Sequence, residues 1–408
     1  MKYVIIGSSA AGIHAIRELK TVDPDSRIVL VSKDDTIYSR CILHHYLSGI
    51  RTVDQLCFVE PDFIERYQVE WKKGVSCIRV LPEKKLISLS DGSTESYDKL
   101  LIAAGSHTFI PPVTNLKEAK NVCGFRNLED IEVLKQVAKT RRNIVVMGSG
   151  LIGMDCACGF LNMGVKVTLV EMTGWLLSRQ LDARAARPYQ ELFEEKGVGQ
   201  YYGVGIREAV LNEDQEITEL LLTDGRKLPC DYLVVTAGVR PNIEFLEGSG
   251  IQTDRFGLTY DETGRTSDEH IYGAGDISGK SPIWPIAVKE GIVAADNMAG
   301  FPGRMTDFFA SKSTMNFMGI ASMSLGEVNP PDDSYSVEIR DTGDTYKKIV
   351  HKDGKITGAL LQGDLAYGGV LQQLISRKID VRRVKKPIFD VDYSDFFHTK
   401  DNFEYDYE

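Results

Sequence analysis

The 408-residue sequence has no C-x-x-C pair. Its seven cysteines, Cys41, Cys57, Cys77, Cys123, Cys156, Cys158 and Cys230, are scattered and odd in number. Such spacing excludes the ligand sets of zinc sites, iron–sulfur clusters and dithiol centres. Cys156 and Cys158 are two apart, so on a helix they face different directions and cannot share a metal. The expectation is reduced thiols in a reducing, cytoplasmic compartment, with no metal and no cluster held by this chain. Excess positive charge is also missing. A net charge of −10 and a pI near 5.4 exclude a non-specific nucleic-acid binder, which needs concentrated Lys and Arg. No apolar run nears the roughly 20 residues of a membrane span. The opening MKYVIIGSSAAG breaks at Gly7, too early for a secretory signal, and reads as a buried strand entering a turn. With 43% hydrophobic and 26% charged residues, the chain can form two or three globular domains, each with its own core.

What is present is a pair of glycine loops. In the first, an apolar strand runs into GSSAAG at 7–12 and then into apolar positions at helical spacing. This is G-x-G-x-x-G with Ser9 in the middle glycine's place, where backbone approaches a pyrophosphate and a helix N-terminus binds it. Serine is the smallest substitute with a side chain, and its hydroxyl can donate to phosphate. The next strand, RIVLV, ends at Ser32, where an acidic residue often holds a ribose. The second loop has no defect. A strand leads into GSGLIG at 148–153, a helix follows, and VTLVE places Glu171 at the end of the next strand. An acid about 20 residues beyond such glycines accepts hydrogen bonds from a ribose 2′-OH and repels a 2′-phosphate, which points to NAD(H). Two dinucleotide loops imply two doubly wound domains, and hydride passing between a nicotinamide and a flavin is the chemistry that commonly pairs them.

Three further segments fit this plan: YDKLLIAAGSHTFIPP at 97–112, CDYLVVTAGVRPN at 230–242 and HIYGAGDISG at 270–279, each a strand closing on small residues. Asp276 at the end of the last can bond a sugar-alcohol hydroxyl of a flavin or cap the following helix. Together the five motifs, in this order over about residues 1–305, resemble the pyridine-nucleotide-dependent flavoprotein reductases. That family includes rubredoxin and ferredoxin reductases, the FAD part of nitrite reductase, NADH oxidases and peroxidases, and disulfide reductases. The resemblance implies an α/β fold with an NAD(H)-binding domain (113–242) inserted into an FAD-binding domain (1–112 and 243–304), plus a small C-terminal α/β domain (305–408). In the last, two strands flank the DGK turn of KKIVHKDGKITGALLQG. It also implies FAD at Gly7, Ser8, Ser9, Ala11 and Gly12, with Asp276 on the ribityl chain beside Gly275, and NAD(H) at Gly148, Gly150, Ile152 and Gly153, with Glu171 on the ribose. Ala104 stands where the family usually has threonine, before Gly105. Arg126 matches an arginine near the flavin, and Asp155 stands where the family has glutamate near the nicotinamide. Ser32, Lys33, Arg40, Cys41, Gly238 and Trp284 complete the candidate cofactor contacts.

The stretch YSRCILHHYLSG at 38–49 divides two branches of that family. Peroxidases, oxidases and coenzyme A disulfide reductases place one redox cysteine over the flavin, and YLSG lies at their spacing from Cys41. Arg40 adjoins that thiol, and His44 lies one turn away if the segment is helical; either could lower its pKa. Against this reading, Ile42 replaces their glycine and Ala10 a histidine that helps the cysteine. The alternative resemblance is to the rubredoxin- and nitrite-reductase branch, where the segment contacts FAD without a thiol. There flavin alone carries the chemistry and Cys41 packs against it. YSRCILHHYLSG, GSGLIGMD, VRPNIEFLEGSGI and SPIWPIAVKEG also resemble the NADH-reducing flavoprotein subunits of multisubunit 2-oxoacid dehydrogenases of the phenylglyoxylate type. That implies electron exchange between NAD⁺ and the iron–sulfur centres of a partner protein or subunit, with homo- or hetero-oligomers formed through the C-terminal domain. A redox sensor on the same fold is a third reading, which the intact GSGLIG and Glu171 argue against. The C-terminal DVDYSDFFHTKDNFEYDYE interleaves acids with aromatics. Exposed aromatics favour docking, so a tail that docks on a partner or on a second copy is expected rather than a disordered one.

Overall fold

The computed structural model describes residues 1–305 and 312–406. They form two compact units, one of residues 1–109, 126–133 and 237–305, the other of residues 110–125, 134–236 and 312–406.

The first unit is built on a five-stranded parallel sheet in the order Ile271–Gly273, Lys99–Ile102, Lys2–Ile6, Arg27–Ser32, Val69–Lys73. Its central strand, KYVII, is apolar and buried from Tyr3 to Ile6 because both faces are covered there. Tyr3 and Ile5 join a core with helices Ala10–Val22 and Trp284–Met298, while Val4 and Ile6 join a second core with Val80, Ile87 and Leu89. Those last three belong to the antiparallel strands Cys77–Leu81 and Leu86–Leu89. The two helices approach so closely that a Cβ on Gly291 would stand 2.3 Å from the carbonyl oxygen of Ala11.

The second unit carries the other parallel sheet, in the order Gly199–Tyr202, Val167–Glu171, Ile144–Met147, Tyr232–Val235, Val122–Cys123. In the same unit, residues 312–362 form a five-stranded antiparallel sheet covered by helix Gly368–Ser376. Strands Tyr346–Lys352 and Lys355–Gln362 pair around the DG turn. Buried polar contacts join this sheet to helix Ala183–Glu195. Lys348 Nζ donates to Asp182 at 2.9 Å, Tyr346 donates to the same carboxylate at 2.7 Å, and Asp182 caps the helix at Ala185 N. Gln362 donates to Ala185 O at 2.9 Å, and Tyr189 to Ile320 O at 2.9 Å. Lys348→Met would leave Asp182 with its two other donors but without its cation. Urea denaturation should show a loss of about 2 kcal/mol.

The tail packs on its own chain over its described residues. Val391 and Phe396 are buried, Lys386 pairs with Asp395 at 2.5 Å, and strands His398–Thr399 and Tyr405–Asp406 form a hairpin with Phe397 stacked on Tyr405. Phe403 stays 85% exposed at the hairpin tip. Tyr407 and Glu408 lie outside the described residues. No described helix is long and apolar enough to cross a membrane.

Candidate functional site

Both glycine loops fold as strand, turn and helix, and each glycine in them has its own reason. In the first, Gly7 takes φ +114°, and a Cβ there would meet Ala103 O at 2.1 Å; one on Gly12 would meet Gly7 O at 1.9 Å. In the second, Cβ atoms on Gly148 and Gly153 would meet Thr236 O at 2.9 Å and Gly148 O at 2.1 Å. These four serve the chain's own packing. Gly150 does not: its φ is −71°, and a Cβ there would meet nothing within 4 Å. Nothing in the protein forbids a side chain, so the space at Gly150 is suited to a ligand that comes against the backbone. Ser9 holds the equivalent position with ordinary extended backbone and caps its helix with no side-chain bond. Neither helix has an acid in its first turn, so the N–H groups there face no competing carboxylate from their own helix. Ser8 and Ala11 are buried in the first loop, while Ile152 is 38% exposed beside Gly150.

Glu171 reaches the second loop as the sequence pattern requires. It accepts from Ser149 N at 2.8 Å, Ser149 Oγ at 3.1 Å and Thr173 N at 2.9 Å. On the following helix Asp155 is half-buried as a residue, but its carboxyl is enclosed, and that burial pushes it up to about 7. Cys156 is buried and Cys158 half-buried, in keeping with their different directions on the helix.

In the first unit the chain brings Arg126 and Asp276 together. Arg126 Nη2 donates to Asp276 Oδ2 at 2.7 Å and to Ser106 Oγ at 2.7 Å, and its Nε donates to Ser106 O at 2.8 Å. Gly275, at φ +81°, lies against Ala11 of the first loop. Ala104 and Gly105 are held by Asn242, whose Nδ2 donates to Ala104 O and whose N donates to Gly105 O. Gly105 and Gly238 both take positive φ and face open space. Trp284 opens its helix, edge-on to Phe58 at 4.8 Å. One expectation fails here. Asp276 does not cap the helix that follows, because Gly279 turns the chain at φ +67° and the helix starts only at Trp284, with Ile283 as its cap and Pro285 in its first turn.

At the end of strand Arg27–Ser32, the Ser32 hydroxyl is already engaged: it donates to Asp34 O at 2.6 Å and accepts from Trp71 Nε1 at 2.8 Å. The carboxylate at this strand end is Asp34, two residues on, bound by Arg40 Nη2 at 2.6 Å. Arg40 also donates to Tyr38 OH, Asn127 Oδ1 and Arg126 O. Exposed Lys33 lies 3.6 Å from Glu129. Cys41 is exposed in the short turn Arg40–Ile42, and His44 lies in a separate helical turn, Leu43–Leu47. Burial, with His45 and Arg51 nearby, pulls the His44 imidazole down to about 4. Asp34, Ser106, Asn127 and Asn242 were not picked out by motif. Only Asp34 had a local signal, as the first acid after the strand.

Residues 1–291 match the family model for pyridine nucleotide-disulphide oxidoreductases, and residues 312–379 match that of the rubredoxin NAD+ reductase C-terminal domain. The chain is similar to subunit epsilon of the NADH-dependent phenylglyoxylate dehydrogenase of Aromatoleum evansii, at 30% identity over 93% of this chain and 92% of the relative. It is similar to the NAD(P)H nitrite reductase of Bacillus subtilis (strain 168) at 27% identity, covering 94% of this chain but 48% of that protein, so it spans about half of that relative's length. Among solved structures, the ferredoxin reductase for the CYP199A2 system of Rhodopseudomonas palustris superposes with a TM-score of 0.83. Identity is 23%, over 95% of this chain and 98% of that one, a likeness of fold.

Proposed function

The chain belongs to the pyridine nucleotide-disulphide oxidoreductase family, and from that premise we propose that it passes electrons between NAD(H) and an iron–sulfur protein or subunit through FAD, without a redox thiol. At the coarser level it is an NAD(H)-dependent flavoprotein oxidoreductase of the rubredoxin reductase type, a family whose members bind FAD and NAD(H). FAD, when bound, supplies the step between a hydride donor and a one-electron acceptor. The residues supply the holding. The first loop and the N-terminus of helix Ala10–Val22 would take its pyrophosphate, and Asp276, braced by Arg126, would accept from its polyol hydroxyls. The second loop would take the NAD(H) pyrophosphate at Gly150. Glu171 would exchange its bonds to Ser149 for the ribose hydroxyls.

The observation that carries the thiol-free reading is the engagement of Arg40 away from Cys41. A thiol becomes a good nucleophile when a neighbouring cation or base favours its thiolate. Arg40, the cation beside Cys41, directs its guanidinium to Asp34, Tyr38 and Asn127. Support for the partner class comes from similarity along nearly the whole length to a dehydrogenase subunit and from the C-terminal match to rubredoxin NAD+ reductases. Placement in a 2-oxoacid dehydrogenase complex of the phenylglyoxylate type is the finer form of this proposal.

Cys41→Ser tests it. The variant should be reduced by NADH and should pass electrons to a one-electron dye at rates within about twofold of wild type. A long-wavelength thiolate–flavin band in the wild type, lost in the variant together with peroxide or disulfide turnover, would instead establish a single-cysteine reductase.

A further inference from the structure

Glu290 belongs to none of the motifs above, yet it is tied to one of them. It sits in the second turn of helix Trp284–Met298, half-buried. Its Oε2 accepts from the backbone N of Gly275 at 2.7 Å and from Tyr260 OH at 3.0 Å. The carbonyl of Gly275 is approached by Tyr260 OH and by Ser278 Oγ, each at 3.3 Å. Gly275 is thus clamped on both its amide and its carbonyl, in a left-handed conformation and with Ala11 and Ala287 against its Cα. The next residue is Asp276, whose carboxylate meets Arg126 at 2.7 Å and Ser106 Oγ at 3.3 Å.

A carboxylate is a costly choice for this place. Burial pushes the Glu290 carboxyl above its usual range even though two donors serve it, and Asp276 adds like charge nearby. An apolar side chain would fill the helix position without that cost, but it would leave the Gly275 amide without its acceptor. The bond matters because glycine on its own is free to leave this conformation, and the peptide after it sets where the next side chain starts.

We propose that Glu290 is a positioning residue for FAD, holding the Gly275 amide so that Asp276 is presented to the flavin's polyol chain. The proposal rests on the reading of Asp276 as a flavin contact. Glu290 acts through that residue, and so do Tyr260 and Arg126, from the other sides of the same turn.

Full-length apoprotein titrated with FAD, followed by quenching of flavin fluorescence, tests it in four variants. Glu290→Leu should weaken FAD binding about tenfold, the loss of one charge-assisted bond. Glu290→Gln should bind within about threefold of wild type, because its carboxamide oxygen, placed where Oε2 stands, can accept from both Gly275 N and Tyr260 OH. Tyr260→Phe should fall between the two. Far-UV circular dichroism and a thermal melt of each apoprotein establish that the variants are folded. A folded leucine variant with wild-type affinity overturns the proposal, and so does a glutamine variant as weak as leucine. If leucine does not fold, Tyr260→Phe decides, and wild-type affinity in that variant overturns the proposal. Asp276→Ala separates the two levels of inference. Unchanged FAD affinity there would remove the role given to Asp276, whatever Glu290 does.

Discussion

Gly150→Val should leave the protein folded while slowing flavin reduction by NADH at least about 100-fold, the loss expected when backbone can no longer approach a pyrophosphate. The fold tolerates the change because the valine Cβ enters open space and the backbone, at φ −71° and ψ −172°, suits a β-branched residue. Gly150 is also a helix cap, where valine is poorer than glycine by about 1 kcal/mol, so the thermal midpoint should drop by only a few degrees. Stopped-flow spectroscopy of the flavin makes the measurement, with dithionite as a reductant that ignores the second loop. Slow reduction by NADH with normal reduction by dithionite is the expected pair. Equal rates with NADH in wild type and variant would mean that no nucleotide passes Gly150. Gly153 supplies the contrast, since any side chain there collides with Gly148 O at 2.1 Å and should disrupt folding as well as binding.

The second large effect is on stability against pH. Burial raises the Asp155 carboxyl from 3.8 to about 7, so the folded protein keeps a proton that the unfolded chain has already released. In that window the native state binds more protons, and stability therefore falls as pH rises from about 4 to about 7 and is level above. Three units correspond to roughly 4 kcal/mol at most, and residual solvent access reduces the expected difference to about 3 kcal/mol. Asp155→Asn removes the titration. Urea denaturation of both proteins between pH 5 and pH 8 should show the asparagine variant gaining on wild type as pH rises, with the largest gap near pH 8. Other carboxylates contribute to each curve alike, so the difference isolates Asp155. A constant difference across that range would show that Asp155 is ionised in the fold at pH 5.

Much of this molecule could be read without coordinates. The strand–turn–helix of each glycine loop, the strand ending at Glu171 and the hairpin at Asp353–Gly354 are local. Apolar alternation, tight-turn sterics and capping act over a few residues, and those residues are adjacent in the chain. Gly12 and Gly153 are recognisable for the same reason, because each is required by a carbonyl of its own loop, whereas Gly7 and Gly148 also close against Ala103 and Thr236 at the ends of distant strands.

Tertiary structure decided what depends on residues far apart. Ser106 and Arg126 are separated by 20 residues, and Arg126 and Asp276 by 150, so no periodicity could have announced their cluster. Ser32 was a candidate by position, yet Asp34 and Trp71 occupy its hydroxyl, and the carboxylate at that strand end is Asp34 itself. By its position Asp276 could both face a flavin and cap the following helix, and the left-handed turn at Gly279 removed the second role. Glu290 carried no motif signal, because in sequence it is one charge on a helix. Its partners, Gly275 and Tyr260, are brought to it only when helix Trp284–Met298 packs beside the strand Ile271–Gly273. Local sterics specify the loops; the pairing of distant polar groups is specified only once chain closure has placed their elements side by side.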